Sequence, residues 1–126
     1  MVRGPEVTDL TLRNLAVTGE TLIGSWGTVT QDTSISTGVT LNTKRGAITT
    51  VDPALAAAGE AEFIVTNSTV RAQSVVCISI ASGPGDDEHV IAFVSAVAAG
   101  SFSIVLSNLA AANQADGAMV INFVVL

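Results

Sequence analysis

The side chains best suited to chemistry follow one another at Asp86, Asp87, Glu88 and His89, in and just after the segment SGPGDDE. Carboxylate oxygens and an imidazole could together bind a divalent cation. Consecutive residues on an extended chain alternate sides, however, so four in a row rarely converge on one ion. The pattern favours a solvated loop tip, and we expect no metal and no cofactor.

Nucleophilic catalysis has little support in this chain. His89 is the only histidine, so any Ser-His-Asp or Cys-His site would have to use it. The single cysteine, Cys77, lies in the apolar run SVVCISI without a sign of an activating base, and no G-x-S-x-G turn is present. We expect a buried, inert thiol and a protein that is not an enzyme and has no small-molecule substrate. Glycan binding is a weaker alternative, because such sites usually present exposed aromatics and the chain has one tryptophan and no tyrosine.

The composition indicates a single domain that associates with copies of itself or with another protein. The chain has 126 residues, of which 48% are hydrophobic, enough for a single core. Only 13% are charged, about half of the roughly 25% typical of globular proteins. So neutral a surface is prone to association, and we expect copies of the chain or another protein to cover part of it.

Charge and hydropathy exclude two other kinds of partner. The net charge is −6 and the pI is near 4.3, whereas nucleic-acid binding requires clustered cations. No apolar run approaches the length of a membrane span, and the start of the chain lacks the pattern of a signal peptide. We therefore expect no nucleic-acid partner and no membrane partner, and synthesis in a cytoplasm.

The elements that position these residues are predicted to be strands. VTLN (39–42) and AITTV (47–51) flank TKRG and predict a hairpin. HVIAFVSAV is apolar on both sides, as in a central strand or one covered by a neighbour. PALAAAGE reads as a loop or single turn. The closing run AMVINFVVL is apolar to Leu126, which predicts a strand fixed in a sheet because frayed ends are normally polar.

Alternation assigns faces within three further strands. AEFIVTN places Phe63 and Val65 on one face, and SFSIVLSN directs Phe102, Ile104 and Leu106 inward. SVVCISIA places Val76, Ile78 and Ile80 on one face and Val75, Cys77 and Ser79 on the other. Seven or eight short strands separated by turn residues predict an all-β domain, an antiparallel β-sandwich of the jelly-roll type.

The first 26 residues differ from the rest and predict a separate β-arm. A two-stranded ribbon cannot bury its apolar face alone, so the arm needs its own sandwich or the arms of sister chains. We predict an N-terminal arm over residues 1–26, used for trimerisation or capsid contact, and a β-sandwich domain over residues 27–126. Trp26, at the junction, is expected to anchor the arm against the sandwich or a neighbour. The apolar arm residues assigned to this interface are Leu10, Leu12, Leu15, Val17, Leu22 and Ile23.

Lys44 and Arg45 form the only adjacent pair of cations in an acidic chain. One interpretation is a polar hairpin tip. The other is a contact with an acidic patch on a capsid or a sister subunit, where an arginine makes bidentate bonds to a carboxylate.

A longer pattern carries a resemblance. The stretch GTVTQDTSISTGVTLNTKRGAITTVDPALAAAGEAEFIVTNSTV, with VSAVAAGSFSIVLSNLAA and VINFVVL, resembles small phage and prophage proteins with the pattern G-T-V-T-Q-x-T-S-x-x-T-G-V-T-L-N. The resemblance covers about residues 27–126. It implies a virion component, either a β-structured capsid decoration protein or a tail-fibre-like module.

These observations together predict a structural protein. We expect a trimer that binds the major capsid protein on the outside of a phage head and stabilises the shell as a cement, after synthesis in the host bacterial cytoplasm. A tail-fibre or receptor-binding module is the alternative. Copy number in the virion separates the two interpretations.

Overall fold

A computed structural model of the chain describes residues 24–84 and 89–126. Within these ranges every regular element is a strand, and the eight strands form two four-stranded sheets. The first sheet has the order β1-β3-β8-β5 and the second the order β2-β4-β7-β6. The strands are β1 (Trp26–Thr30), β2 (Val39–Thr40), β3 (Arg45–Thr49), β4 (Glu60–Thr66), β5 (Val76–Ser82), β6 (Val90–Ala98), β7 (Ser101–Asn108) and β8 (Val120–Val125).

The two sheets pack face to face as a β-sandwich, which confirms the all-β prediction. The first six strands alternate between the sheets, so β1 lies beside β2 at one side of the sandwich and β5 beside β6 at the other. The pairs β1–β3 and β2–β4 are parallel, and the remaining pairs are antiparallel. The prediction of a wholly antiparallel sandwich is therefore wrong. A chain that crosses to the opposite sheet and back reverses twice and returns in its original direction.

The predicted hairpin and one of the two alternatives for HVIAFVSAV are also wrong. The predicted hairpin over residues 39–51 does not form, because β2 pairs with β4 in the second sheet and β3 pairs with β1 and β8 in the first. Thr43 and Lys44 thus belong to a link between the sheets, and Arg45 and Gly46 begin β3. β6 is an edge strand, so the first alternative for HVIAFVSAV, a central strand, is wrong, and the second, cover by a neighbour, stays a prediction. The last strand, β8, is fixed between β3 and β5 as predicted, and PALAAAGE contains a turn and no helix.

The core lies between the inward faces, where the predicted alternation is confirmed. Phe63 and Val65 of β4 are buried, and their neighbours Ile64 and Thr66 are exposed. The rings of Phe102 and Phe123 join the sheets, with centroids 5.6 Å apart at an interplanar angle of 52°, a tilted arrangement that aromatic pairs favour. Other core side chains include Ile48, Val70, Ile104, Leu106, Met119, Ile121 and Val125.

A pair of glycines lets the link between β2 and β3 pack closely on the first sheet. Gly27 and Gly46 are partners in the β1–β3 pair, and the side chain of Leu41 lies against both. A Cβ on Gly27 would lie 2.8 Å from Cδ1 of Leu41, and a Cβ on Gly46 would lie 3.1 Å from its Cδ2 and would clash with the carbonyl oxygen of Gly27. Only glycine at both positions leaves room for Leu41.

The glutamine of the GTVTQ pattern has a structural role. Gln31 is 3% exposed, and its Nε2 donates hydrogen bonds of 2.8 Å to the carbonyls of Ile35 and Thr37. Its Oε1 accepts a hydrogen bond of 3.4 Å from the Val51 N–H. These bonds give the link between β1 and β2 its shape, so Gln31 has a structural role in this link.

Two buried asparagines hold other links in the same way. Asn67 Nδ2 donates to the Thr43 carbonyl at 2.7 Å, which ties the link after β2 to the end of β4. Asn108, at the end of β7, is fully buried, and its Nδ2 lies within hydrogen-bond distance of three backbone carbonyls. Its Oδ1 accepts from the Ala110 N–H at 3.0 Å. Buried polar groups of this kind stabilise a fold only when their partners are present.

Candidate interaction surfaces

The outer face of the first sheet carries almost no charge. Its outward positions form rows across the four strands, and Arg45 is the single side chain among them that is charged at neutral pH. The other members are hydroxyl, amide or apolar side chains. The rows are Trp26, Arg45, Val124 and Cys77; then Thr28, Ala47, Asn122 and Ser79; then Thr30, Thr49, Val120 and Ser82.

One end of this face is an apolar strip along β5 and β8, formed by Val75, Cys77, Val124 and Leu126. Val75 is 59% exposed and Leu126 is 62% exposed. Their backbones exchange two hydrogen bonds, of 3.1 and 2.8 Å, so the two side chains are neighbours. The sequence analysis did not predict this strip, although the alternation along SVVCISIA placed Val75 on the face opposite to that of Val76.

Cys77 corrects a prediction. The thiol is exposed on the outer face of the first sheet, not buried in the core. The apolar run around it suggested burial, but the inward face of β5 belongs to Val76, Ile78 and Ile80 as the alternation indicated.

The purified chain should therefore react rapidly with a thiol reagent without denaturant. Because Cys77 is exposed and makes no core contact, Cys77→Ser should change the free energy of unfolding by less than about 0.5 kcal/mol. Labelling followed by mass spectrometry and chemical denaturation measure the two quantities. Slow labelling that becomes fast only on unfolding would restore the buried-thiol interpretation.

The structure brings Trp26 and Arg45 together, as partners across β1 and β3. Trp26 is 50% exposed, so the sandwich by itself does not bury the ring. Arg45 Nε donates a hydrogen bond of 3.4 Å to the carbonyl of Gly24. The hairpin-tip interpretation of Lys44 and Arg45 is wrong, because Arg45 begins a strand and the Lys44 carbonyl accepts a bond from Val125. The six apolar arm residues, Leu10, Leu12, Leu15, Val17, Leu22 and Ile23, lie outside the described residues.

The outer face of the second sheet is apolar and acidic. Ile64, Ile91 and Phe93 are 53%, 46% and 42% exposed. Glu62 lies on the same face, and its Oε1 accepts a hydrogen bond of 3.1 Å from Ser95 Oγ. A shallow depression at the β2 side of this face is lined by Ser36, Gly38, Glu62, Phe63 and Ile64.

The acidic loop falls largely outside the described residues, since residues 85–88 are among those not described. His89 is exposed, and its carbonyl accepts a hydrogen bond of 2.8 Å from the Leu109 N–H. Among residues 24–84 and 89–126, no group of three or more His, Cys, Asp or Glu side chains is placed to hold a metal ion. The same ranges contain no helix that is long and apolar enough to cross a membrane.

Comparison with protein-family models, with curated proteins and with solved structures gives no match. Among residues 24–84 and 89–126, the two outer faces of the sandwich are the candidate interaction surfaces. Both combine exposed apolar side chains with few charges, a composition suited to contact with protein. Trp26 and Phe93, exposed aromatics of the described part, lie on opposite faces and form no common platform for a sugar.

Proposed function

We propose that the chain is a structural virion protein, a homotrimeric decoration protein that binds the outer surface of a phage head and cements it. In this proposal the jelly-roll-like sandwich carries the contact surfaces, and residues 1–26 form a β-arm at the trimer axis or on the capsid. The observation that carries the proposal is the nearly uncharged outer face of the first sheet. Its apolar strip is the surface assigned to the major capsid protein.

The strength of such a contact follows from its size. Burying a valine or leucine side chain contributes about 1.5 to 3 kcal/mol before entropy losses. One strip gives a weak contact, but three strips held in one trimer act with high effective concentration. A trimer that binds neighbouring capsid subunits only in the assembled shell then stabilises that shell by mass action.

The test is to titrate undecorated heads with the purified chain and to measure bound protein and the temperature of DNA release. We expect saturable binding in numbers comparable with the major capsid protein, and release at a higher temperature. Val75→Glu should weaken head binding about tenfold or more, because it places a charge in the strip. Leu109→Glu is the matched control, since Leu109 is 60% exposed, follows β7 in the second sheet and is not part of the strip on the first sheet.

The same assay addresses the alternative. Cys77 lies in the strip, so its labelling should slow on decorated heads while remaining fast in the free protein. Heads that bind no chain, together with virions that contain only a few copies per particle, would overturn the decoration proposal in favour of the tail-fibre or receptor-binding module.

A further inference from the structure

We infer that the outer face of the first sheet has a binding depression beside the apolar strip, and that it takes a proline from an extended, uncharged segment of the partner. The inference deepens the proposed function and rests on it for the identity of that partner, the major capsid protein. It adds the chemistry of the capsid segment.

The depression, here the Trp26 depression, is continuous with the apolar strip. Its volume is about 310 Å³, at the lower end of the roughly 300 to 1,000 Å³ of clefts that hold ligands. Cys77 and Val124 belong both to the strip and to the depression. A partner that covers the strip therefore covers the depression as well. The side chains that line it on the outer face are those of Trp26, Cys77, Ser79, Asn122 and Val124.

Trp26 forms one wall of the Trp26 depression. It stands on β1, whereas the other lining residues belong to β5 and β8. Because β3 lies between β1 and β8, the indole ring lies across β3 towards β8. In the row of Asn122, β3 places only the small side chain of Ala47. Trp26 is half exposed, so its ring offers a partner a flat apolar surface of the kind that carries much of the energy of protein interfaces.

The floor of the Trp26 depression offers hydrogen bonds from side chains and not from backbone. It is formed by β5 and the central strand β8, and the backbone of β8 is already paired with β3 and β5. Asn122 and Ser79 are partners across β8 and β5, and they supply an amide and a hydroxyl. Asparagine is depleted in strands, and none of the other described residues is hydrogen-bonded to the Asn122 side chain. The fold therefore leaves this amide available to a ligand.

A proline suits these surroundings. All seven residues that line the Trp26 depression are uncharged at neutral pH, so a charged group would lie there without a partner. The pyrrolidine ring is apolar, can stack on the indole, and brings no N–H that needs an acceptor. The carbonyls beside it accept hydrogen bonds from Asn122 Nδ2 and Ser79 Oγ. Aromatic-lined grooves bind proline-rich segments in this way, because the extended helix of such a segment is already formed before binding.

A sugar suits the Trp26 depression less well. A hexose carries several hydroxyl groups, and each of them loses its hydrogen bonds to water on burial unless the site replaces them. Asn122 and Ser79 are too few for that purpose, and the thiol of Cys77 is only a weak donor.

Decaproline tests the site on the purified chain. Trp26 is the only tryptophan and the chain has no tyrosine, so tryptophan fluorescence reports the Trp26 depression directly. We expect a saturable change in emission with decaproline and slower labelling of Cys77 at saturating peptide. An alternating glycine-serine decapeptide, which has backbone carbonyls but no ring, should cause neither change.

A pair of asparagine variants tests the role of the amide. Asn122→Ala should weaken decaproline binding about tenfold, because it removes a hydrogen bond to the ligand. Asn113→Ala is the matched control, since Asn113 is exposed in the link between β7 and β8 and lies outside the depression. It should bind the peptide as the wild type does.

Undecorated heads test whether the bound segment belongs to the capsid. Decaproline should compete with heads for the chain. Trp26→Ala should lower the affinity for heads at least about tenfold, whereas Trp26→Phe, which keeps a flat ring, should retain most of the binding. Far-UV circular dichroism checks that both variants are folded.

The possible results separate this inference from the decoration proposal. Equal responses to the two decapeptides, or a response to maltotriose and none to decaproline, would overturn the inference. Wild-type head binding by folded Trp26→Ala and Asn122→Ala variants would also overturn it and would leave the decoration proposal standing. A chain that binds decaproline but no heads would support the proline site and overturn the decoration proposal.

Discussion

Replacing Asn108 with aspartate should lower the free energy of unfolding by about 3 to 5 kcal/mol, because it turns a buried donor into a buried charge. The Nδ2 of Asn108 donates towards the carbonyls of Leu55, Ala56 and Asn113, at 3.1, 3.3 and 2.9 Å. A carboxylate oxygen in its place would face those three carbonyl oxygens without a proton to share. Chemical denaturation followed by circular dichroism measures the loss.

Asn42→Asp is the matched control for this change. Asn42 is exposed, and its Oδ1 accepts a hydrogen bond of 2.9 Å from the Ser68 N–H, which an aspartate oxygen can also accept. We expect a change within about 0.5 kcal/mol of wild type. Equal stabilities for the two aspartate variants would show that the Asn108 amide does not hold the links at the end of β7.

Gly46→Ala should lower the free energy of unfolding by about 3 kcal/mol, although alanine in an unstrained strand position normally stabilises by about 0.5 to 1 kcal/mol. The new methyl group would clash with the Gly27 carbonyl oxygen and approach Leu41. Because the obstacle is backbone, β1 and β3 would have to separate. A loss of stability would show that Gly46 is needed for lack of space, whereas a gain would show that it only adds backbone flexibility. Thermal or chemical denaturation measures the change in the free energy of unfolding.

Gly100→Ala provides the contrast for Gly46→Ala. Gly100 has φ near 86° and nothing within 4 Å of the place where a Cβ would lie, so its substitution strains the backbone without a clash. We expect a loss of about 1 to 2 kcal/mol there. A stabilised Gly46→Ala variant would contradict the close packing of β1 on β3.

Face assignments could be predicted from the sequence wherever a strand alternates. In β4 and β7 the inward side chains are large and apolar, so a period of two identifies the buried face. The same rule gave the correct faces of β5. The period of two places the exposed Cys77 on the outer face of β5, although the apolar composition of the run around it favours burial.

Strand partners could not be predicted in the same way. The period of two says which face is buried, but it says nothing about which strand lies alongside. Lys44 and Gly46 are consistent both with a tight hairpin turn and with a link between the two sheets. What decides for the link is that the strands on either side, β2 and β3, lie in different sheets and are each buried by the opposite sheet. The parallel pairs follow from that crossing, which leaves no local sequence signal.

The candidate surfaces were predicted only in part. Low charge indicated that some surface is covered, and Trp26 and Arg45 were both assigned to an interface. Their position side by side depends on the β1–β3 register, which the sequence does not reveal. The depression beside Glu62 and Ile64 depends on the shortness of β2 and on the missing side chain of Gly38.

The central position of β8 has a consequence for synthesis. A ribosome makes this strand after all seven others, yet β8 is the neighbour of both β3 and β5. Until it emerges, β5 has no partner in its sheet, and the inward side of the second sheet lacks part of its cover. The chain therefore acquires its native pairing only after translation of the sandwich is complete, and nascent chains in a crowded polysome carry open strand edges. The faster β8 closes the first sheet, the shorter the time during which those edges can join neighbouring chains.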